Sequence, residues 1–304
     1  MQSLWMLVAS FLFSIMGVCV KLAGEHYSTA EIVLCRGIVG VSFIYVLIGL
    51  KGGTLKTPYP RDHIIRGGVG VISLWLWFYS FSLLPVATAT TLNYMSSIWI
   101  AAMLFGVAWW KGKKRFEWGL AGTVLLSFVG VALLLRPSIN SDELFGGLIA
   151  LFSGVLSALV YLQVRKLGLL GEPEYRVVFY FSFTGLLAGI AGSIATGRIP
   201  FWHAHSVKGV ALILTIGLTA TVAQIAMTRA YRLGNTLVTA NLQYTGIVFA
   251  SLWGMLIWKD APGWLGFAGI AIILLSGVVS TFYNQRSQQN SKNLPAIDPI
   301  ATEV

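Results

Sequence analysis

Ten stretches of this chain are apolar for the length that a bilayer crossing requires, and that recurrence constrains the fold more than any motif. A hydrocarbon core of about 30 Å needs roughly 20 helical residues. Runs of that length fall at 4–22, 31–50, 67–84, 88–110, 118–136, 144–164, 176–196, 207–230, 236–258 and 264–283. A spanning barrel strand would be about half as long and would alternate in polarity. The runs therefore read as helices, whose backbone groups satisfy one another inside lipid. Composition agrees: the chain is 56% hydrophobic and 11% charged, where a soluble domain carries about 25% charged residues, and its mean hydropathy is +0.77. The expected fold class is an all-α polytopic membrane protein.

The formal net charge of +10 does not point to nucleic acid, because the basic residues form short clusters between apolar runs and no basic domain carries an aromatic binding face. Their placement sets orientation instead. Lys51, Lys56, Arg61, Arg66, the cluster KGKKR from Lys111, Arg165, Lys166, Arg176, Arg229, Arg232, Arg286 and Lys292 fall on one side. Lys21, Arg36, Arg136, Arg198, Lys208 and Lys259 fall on the other. The expectation is a plasma (inner) membrane protein with both termini cytoplasmic. The first run lacks the basic start and small-residue cleavage site of a signal peptide, so it counts as a helix. Cys19 and Cys35 read as buried apolar thiols. The polar tail 284–304 reads as disordered and cytoplasmic.

The two halves, 4–136 and 144–283, resemble each other in order. Leu83, Leu92 and Tyr94 stand opposite Leu233, Leu242 and Tyr244, with Asn93 opposite Gln243. Gly106, Trp110 and Lys111 stand opposite Gly254, Trp258 and Lys259, and GLAG from Gly119 opposite GFAG from Gly266. Five spans per half is an odd number, so the second copy is expected to be inverted. Inverted repeats are a transporter signature, with substrate held near the midplane at the repeat interface.

These runs also resemble a known family. SLLPVATATTLNYMSSIWIAAMLFG and AYRLGNTLVTANLQYTGIVFASLWGMLIWKD, followed by the glycine-spaced GLAGTVLLSFVGVALLL and GFAGIAIILLSGVV, are similar to the EamA family of the drug/metabolite transporter superfamily. The resemblance spans about residues 4–283. It implies ten helices around a central cavity, alternating access, and movement of small metabolites such as amino acids, their derivatives, vitamins or toxic cations, often outward. The family's acidic residue closing the fourth helix of each repeat has a match in Asp260, whereas the first half has Gly112 there.

The candidate substrate site starts from a polar pair. Thr90, Asn93 and Ser97 share one helical face, and Thr236, Thr239 and Gln243 line the corresponding face of the second half, with Tyr94 and Tyr244 beside the amides. Facing one another across a cavity, amide and phenol groups suit a zwitterion or planar polar ring. The plainer alternative is interhelical hydrogen bonding. In the third run, Trp75 and Tyr79 share a face and are the expected cavity aromatics, with Trp77 and Phe81 pointing elsewhere. Tyr161, Gln224, Ser153, Ser157 and Ser14 are further lining candidates. Arg36 lies inside the second run, where it either attracts a substrate carboxylate or pairs with Glu31.

No acidic residue falls in the middle of a run, so no intramembrane carboxylate relay is legible. His203 and His205 have no third ligand nearby, and no phosphate-binding loop is encoded. The expectation is a secondary transporter without catalytic residues, metal or cofactor, whose partners are a small-molecule substrate and the lipid bilayer, as monomer or homodimer. Export of amino acids or related metabolites is the first reading. The alternatives are import of a vitamin or similar nutrient such as riboflavin, and a non-transport membrane scaffold.

Overall fold

A computed structural model describes residues 2–84, 86–110, 118–135, 144–197, 206–259 and 263–292. Regular structure among them is entirely helical. After a 3₁₀ turn at Gln2–Leu4 come α1 (Trp5–Ala23), α2 (Thr29–Lys51), α3 (Pro60–Leu83), α4 (Val86–Tyr94), α5 (Ser96–Trp110) and α6 (Trp118–Leu135). The second half holds α7 (Leu144–Leu169), α8 (Glu174–Ala195), α9 (Val207–Leu233), α10 (Thr236–Gln243), α11 (Thr245–Trp258) and α12 (Trp264–Lys292). The ten expected spans coincide with helices over their described residues, and two of them are broken. α1 with its preceding turn, α2, α3, α7, α8 and α9 are each long and apolar enough to cross a membrane.

Three boundaries depart from the sequence reading. α3 starts at Pro60, not near Gly67, because proline is at home in a first helical turn. Arg66 is therefore inside a helix and not in a loop. α8 likewise begins at Glu174, after Pro173. α12 continues to Lys292, so the polar segment after Asn284 begins as helix, and residues 293–304 lie outside the described part. The basic cluster from Lys111, Asp260 and the His203–His205 pair also lie outside it.

Outward-facing side chains are large and apolar, among them Ile64, Ile72, Phe152, Leu187, Leu256 and Phe282. Trp109, Trp110, Trp118 and Trp264, at span ends, are all exposed, as expected for rings at headgroup depth. Lipid gives helices no hydrophobic reason to associate, so close packing of small residues carries the assembly. The tightest example is α2 on α8. A Cβ on Gly37 would stand 2.6 Å from the Leu186 backbone nitrogen, and one on Gly189 2.6 Å from that of Leu34. Elsewhere α1 packs on α9, α3 on α7 and α6 on α12, so each of these pairs joins the two halves. Cys19 and Cys35 are buried free thiols.

One end of the bundle is tied by charge. His63 Nε2 lies 3.1 Å from Glu172 Oε2, and Arg176 donates to both Glu172 oxygens at 3.1 and 3.0 Å. Thr57 donates to the same carboxylate. Lys166 pairs with Asp62, and Arg232 with Glu174 at 3.0 Å. Gly171, at φ 86°, makes the left-handed turn that carries Glu172 back onto His63, where only glycine adopts that angle without strain. At the other end of α3, Lys21 Nζ donates to the Phe81 and Leu84 carbonyls at 3.4 and 3.2 Å. That contact caps a helix C-terminus.

Candidate functional site

The two helix breaks position the site. At Met95 the ladder slips: Ile98 N–H turns back to the Met95 carbonyl at 2.9 Å, a three-residue step. At Tyr244 the same happens, with Tyr244 N–H bonding the Asn241 carbonyl at 3.2 Å and Ile247 N–H the Tyr244 carbonyl at 3.0 Å. Carbonyls freed by such breaks need company. Gly154 on α7 lies against those of Leu92 and Asn93, each 2.8 Å from where its Cβ would be. Ser10 on α1 donates to the Gln243 carbonyl at 3.4 Å.

The broken helices meet each other as well. Ser97 on α5 donates to the Ala240 carbonyl on α10 at 2.6 Å. The Tyr94 ring lies over Gly246 of α11, with Cε2 2.7 Å from where a Cβ would be. Beside this crossing lies a central cavity whose lining includes Asn93, Tyr94, Ser157, Tyr161 and Gln224. Arg36, Arg66, Ser73, Trp77 and Phe181 line it as well. The cavity volume is about 50 Å³, where one water needs about 10–15 Å³. This conformation is thus narrow, with room for a few waters.

The cavity wall is a connected polar network. Asn93 Nδ2 donates to Ser153 Oγ at 2.8 Å and Ser157 Oγ at 3.2 Å. Ser73 Oγ and Ser157 Oγ are 2.8 Å apart, which ties α3 to α7. Gln243 does not reach the cavity. It sits behind Tyr161, donating to the Tyr161 hydroxyl and to Ser96 at 3.3 Å each and accepting from Tyr231 at 3.3 Å. Tyr161 and Tyr231 stack with centroids 5.1 Å apart. The expected face-to-face amide pair is therefore one lining amide, Asn93, and one supporting amide, Gln243.

Other expected members hold helices together. Thr239 Oγ1 donates to the Ala230 carbonyl at 3.3 Å. Ser14 donates to the Phe11 carbonyl at 2.6 Å and accepts from Trp253 Nε1 at 3.0 Å. Thr90 and Tyr244 are buried without lining the cavity. On α3 the expected face is reversed. The Trp75 ring packs against Gly192 of α8, Tyr79 is 43% exposed, and it is Trp77 that lines the cavity. The reason is helical register. Arg66, Gly70, Ser73 and Trp77 recur at intervals of four, three and four residues, which is one stripe, and Trp75 lies half a turn away from it.

Arg66, Ser73, Trp77 and Phe181 are among the lining residues that sequence reasoning missed. The stripe was readable only with α3 starting at Pro60, since a later start leaves Arg66 in a loop. Arg36 does reach the cavity. Glu31 is instead engaged in a capping box, its carboxylate accepting from the Ser28 N–H and hydroxyl at 2.8 and 2.9 Å. The described residues contain no group of three metal-ligating side chains.

Comparison with known proteins places this architecture. Residues 1–136 match the EamA-like transporter family. Over 272 residues the chain is 29% identical to the pseudopaline exporter CntI of Pseudomonas aeruginosa strain UCBPP-PA14, covering 88% of this chain and 92% of the relative. An S-adenosylmethionine uptake transporter of Rickettsia bellii is 21% identical over 292 residues, 95% of each chain. A solved crystal structure shares the fold with a TM-score of 0.77 at 17% identity, over 94% of this chain and 98% of that one. The helical bundle, the family match over residues 1–136 and the near full-length alignments agree in direction: the chain is similar to EamA-like transporters, and the relatives it aligns with are transporters and not enzymes.

Proposed function

We propose that this protein exports amino acids or related small metabolites across the inner membrane, by alternating access of two inverted five-helix repeats with both termini cytoplasmic. The observation that carries the reading is the buried, polar and aromatic cavity beside the crossing of two broken helices. Unwound helix at a midplane site is a recurring way to present backbone and side-chain groups to a substrate. The packing supports the repeats. α1 of the first half packs on α9 and on α11, and α7, its counterpart, packs on α3 and on α4–α5. That exchange of partners is what a pseudo-twofold between halves requires.

Export follows the 29% identical pseudopaline exporter, and the uptake activity named for the more distant Rickettsia relatives is the competing direction. The test is flux in proteoliposomes of known orientation, loaded in turn with amino acids, vitamins and organic cations. Export predicts substrate-specific movement from the cytoplasmic-side compartment. Movement of none of these classes by correctly folded protein would contradict the proposal.

A further inference from the structure

Two arginines lie inside the bundle, and among the described residues no carboxylate pairs with either. Arg36 and Arg66 are 4% and 1% exposed, and their guanidinium carbons lie 4.8 and 3.9 Å from the centroid of one shared ring, Phe181. Among the described residues, Nε of both and Nη1 of Arg66 have no hydrogen-bond partner, and no aspartate or glutamate lines the cavity that both arginines face. The nearby acids are committed elsewhere: Glu31 to its helix cap, Asp62 to Lys166, Glu172 to His63 and Arg176, Glu174 to Arg232.

Arginine does not give up its proton in a protein, and a buried charge without a partner is costly, most of all inside a membrane. Two like charges around one ring raise that cost, and cation–π contact offsets only part of it. The sequence nevertheless makes room for them. A Cβ on Gly70 would stand 2.9 Å from Arg66 Nη1 and 3.0 Å from Phe181 Cε2. A guanidinium fork matches a carboxylate in shape as well as charge.

We propose that Arg36 and Arg66 form an anion subsite, and that the transported molecule is a small metabolite carrying two carboxylates. Asn93 and Tyr161, which line the same cavity, take its polar remainder, and Trp77 its apolar portion. This rests on the transporter reading and narrows its substrate class. It also predicts exclusion of permanently cationic metabolites, which two guanidinium groups repel.

The test is the melting temperature of the full chain in lipid nanodiscs at constant ionic strength. Succinate, L-glutamate and citrate are compared with succinamide, L-glutamine and choline. The dicarboxylates should stabilise the protein, and the amides and choline should not. Arg36→Gln and Arg66→Gln should each weaken dicarboxylate affinity at least tenfold, while the empty variants melt at or above the parent because a buried charge has gone. Arginines that merely hold the fold would give the opposite pattern, lower melting with the ligand shift retained, and would overturn the proposal. The unmodified protein decides the matter alone if a variant fails to fold: equal stabilisation by amide or choline, or none by any dicarboxylate, also overturns it. Proteoliposome flux separates the two readings. Flux of a neutral or cationic metabolite that is indifferent to both substitutions ends the dicarboxylate assignment and leaves the transporter. Dicarboxylate binding with no flux of any substrate does the reverse.

Discussion

Asn93 and Tyr94 are adjacent in sequence and do different work at the cavity. Asn93 holds Ser153 and Ser157 of α7, so Asn93→Ala removes two hydrogen bonds while leaving Ser153 its bond to the Ala150 carbonyl. Interhelical bonds in membranes average about 0.6 kcal/mol. The expected loss is therefore about 1 kcal/mol in unfolding free energy, with a larger fractional loss of transport, read from melting and flux on the same preparation. Tyr94 depends on the bare backbone of Gly246. Gly246→Ala is expected to push the ring into an already narrow cavity, cutting flux severalfold for a stability cost of about 1–3 kcal/mol. Equal flux in Gly246→Ala would show that the ring's position is immaterial. At this scale the sequence was informative about which residues are polar and much less about where they point. Thr90, Asn93 and Ser97 share a face, yet only Asn93 lines the cavity; Ser97 lies beyond the break at Met95 and donates to the Ala240 carbonyl instead. Trp75 and Trp77 differ by half a turn, and hydropathy alone does not choose between them.

The two interrupted helices are the elements on which the site depends. A continuous 25-residue helix would seal its carbonyls, whereas α4–α5 and α10–α11 each leave some for a neighbouring helix to cover. Gly154 serves the first break by letting α7 approach the Leu92 and Asn93 carbonyls. Gly154→Val would bring carbon into two backbone oxygens that cannot move without disturbing Asn93. The expected result is a loss of about 1–3 kcal/mol together with loss of transport. Gly106→Ala, at a glycine whose added Cβ would meet nothing within 4 Å, should leave both unchanged. Helix number and order were legible from span length alone. The breaks were not, since no proline stands at either, and the nearest glycine, Gly246, lies two residues past Tyr244. Residues of the opposite half, Gly154 and Ser10, meet the carbonyls at the two breaks, and local propensity does not encode such contacts.

Across the whole molecule, the ion pairs at one end join α3, α7, the α7–α8 turn, α8 and α9. Alternating access requires such a tie to open when substrate passes that end. Burial pushes the Glu172 carboxyl upward, but hydrogen bonds from Thr57, Arg176 and His63 outweigh it and hold the pKa below the ordinary value. A depressed carboxylate contributes stability that is full above the unfolded pKa of about 4.3 and is lost as pH falls through the folded value. Acidification through that window should lower the melting temperature of the parent more than that of Glu172→Gln. The substitution itself strands Arg176 and should cost on the order of 3 kcal/mol at neutral pH. The inverted relation that we propose between the halves rests on the odd number of spans per half. The latch was not legible in the sequence, because Asp62, Glu172 and Glu174 look like loop charges until the helices bring them together.

The central claim is that the network around Asn93 lines a water-filled path and not a sealed interface between helices. With Cys19 and Cys35 replaced by alanine, a single cysteine at position 93 in membrane vesicles should react with a small charged, membrane-impermeant thiol reagent, and reaction should abolish flux. A cysteine at position 93 that stays unreactive in folded, transport-competent protein would contradict the account.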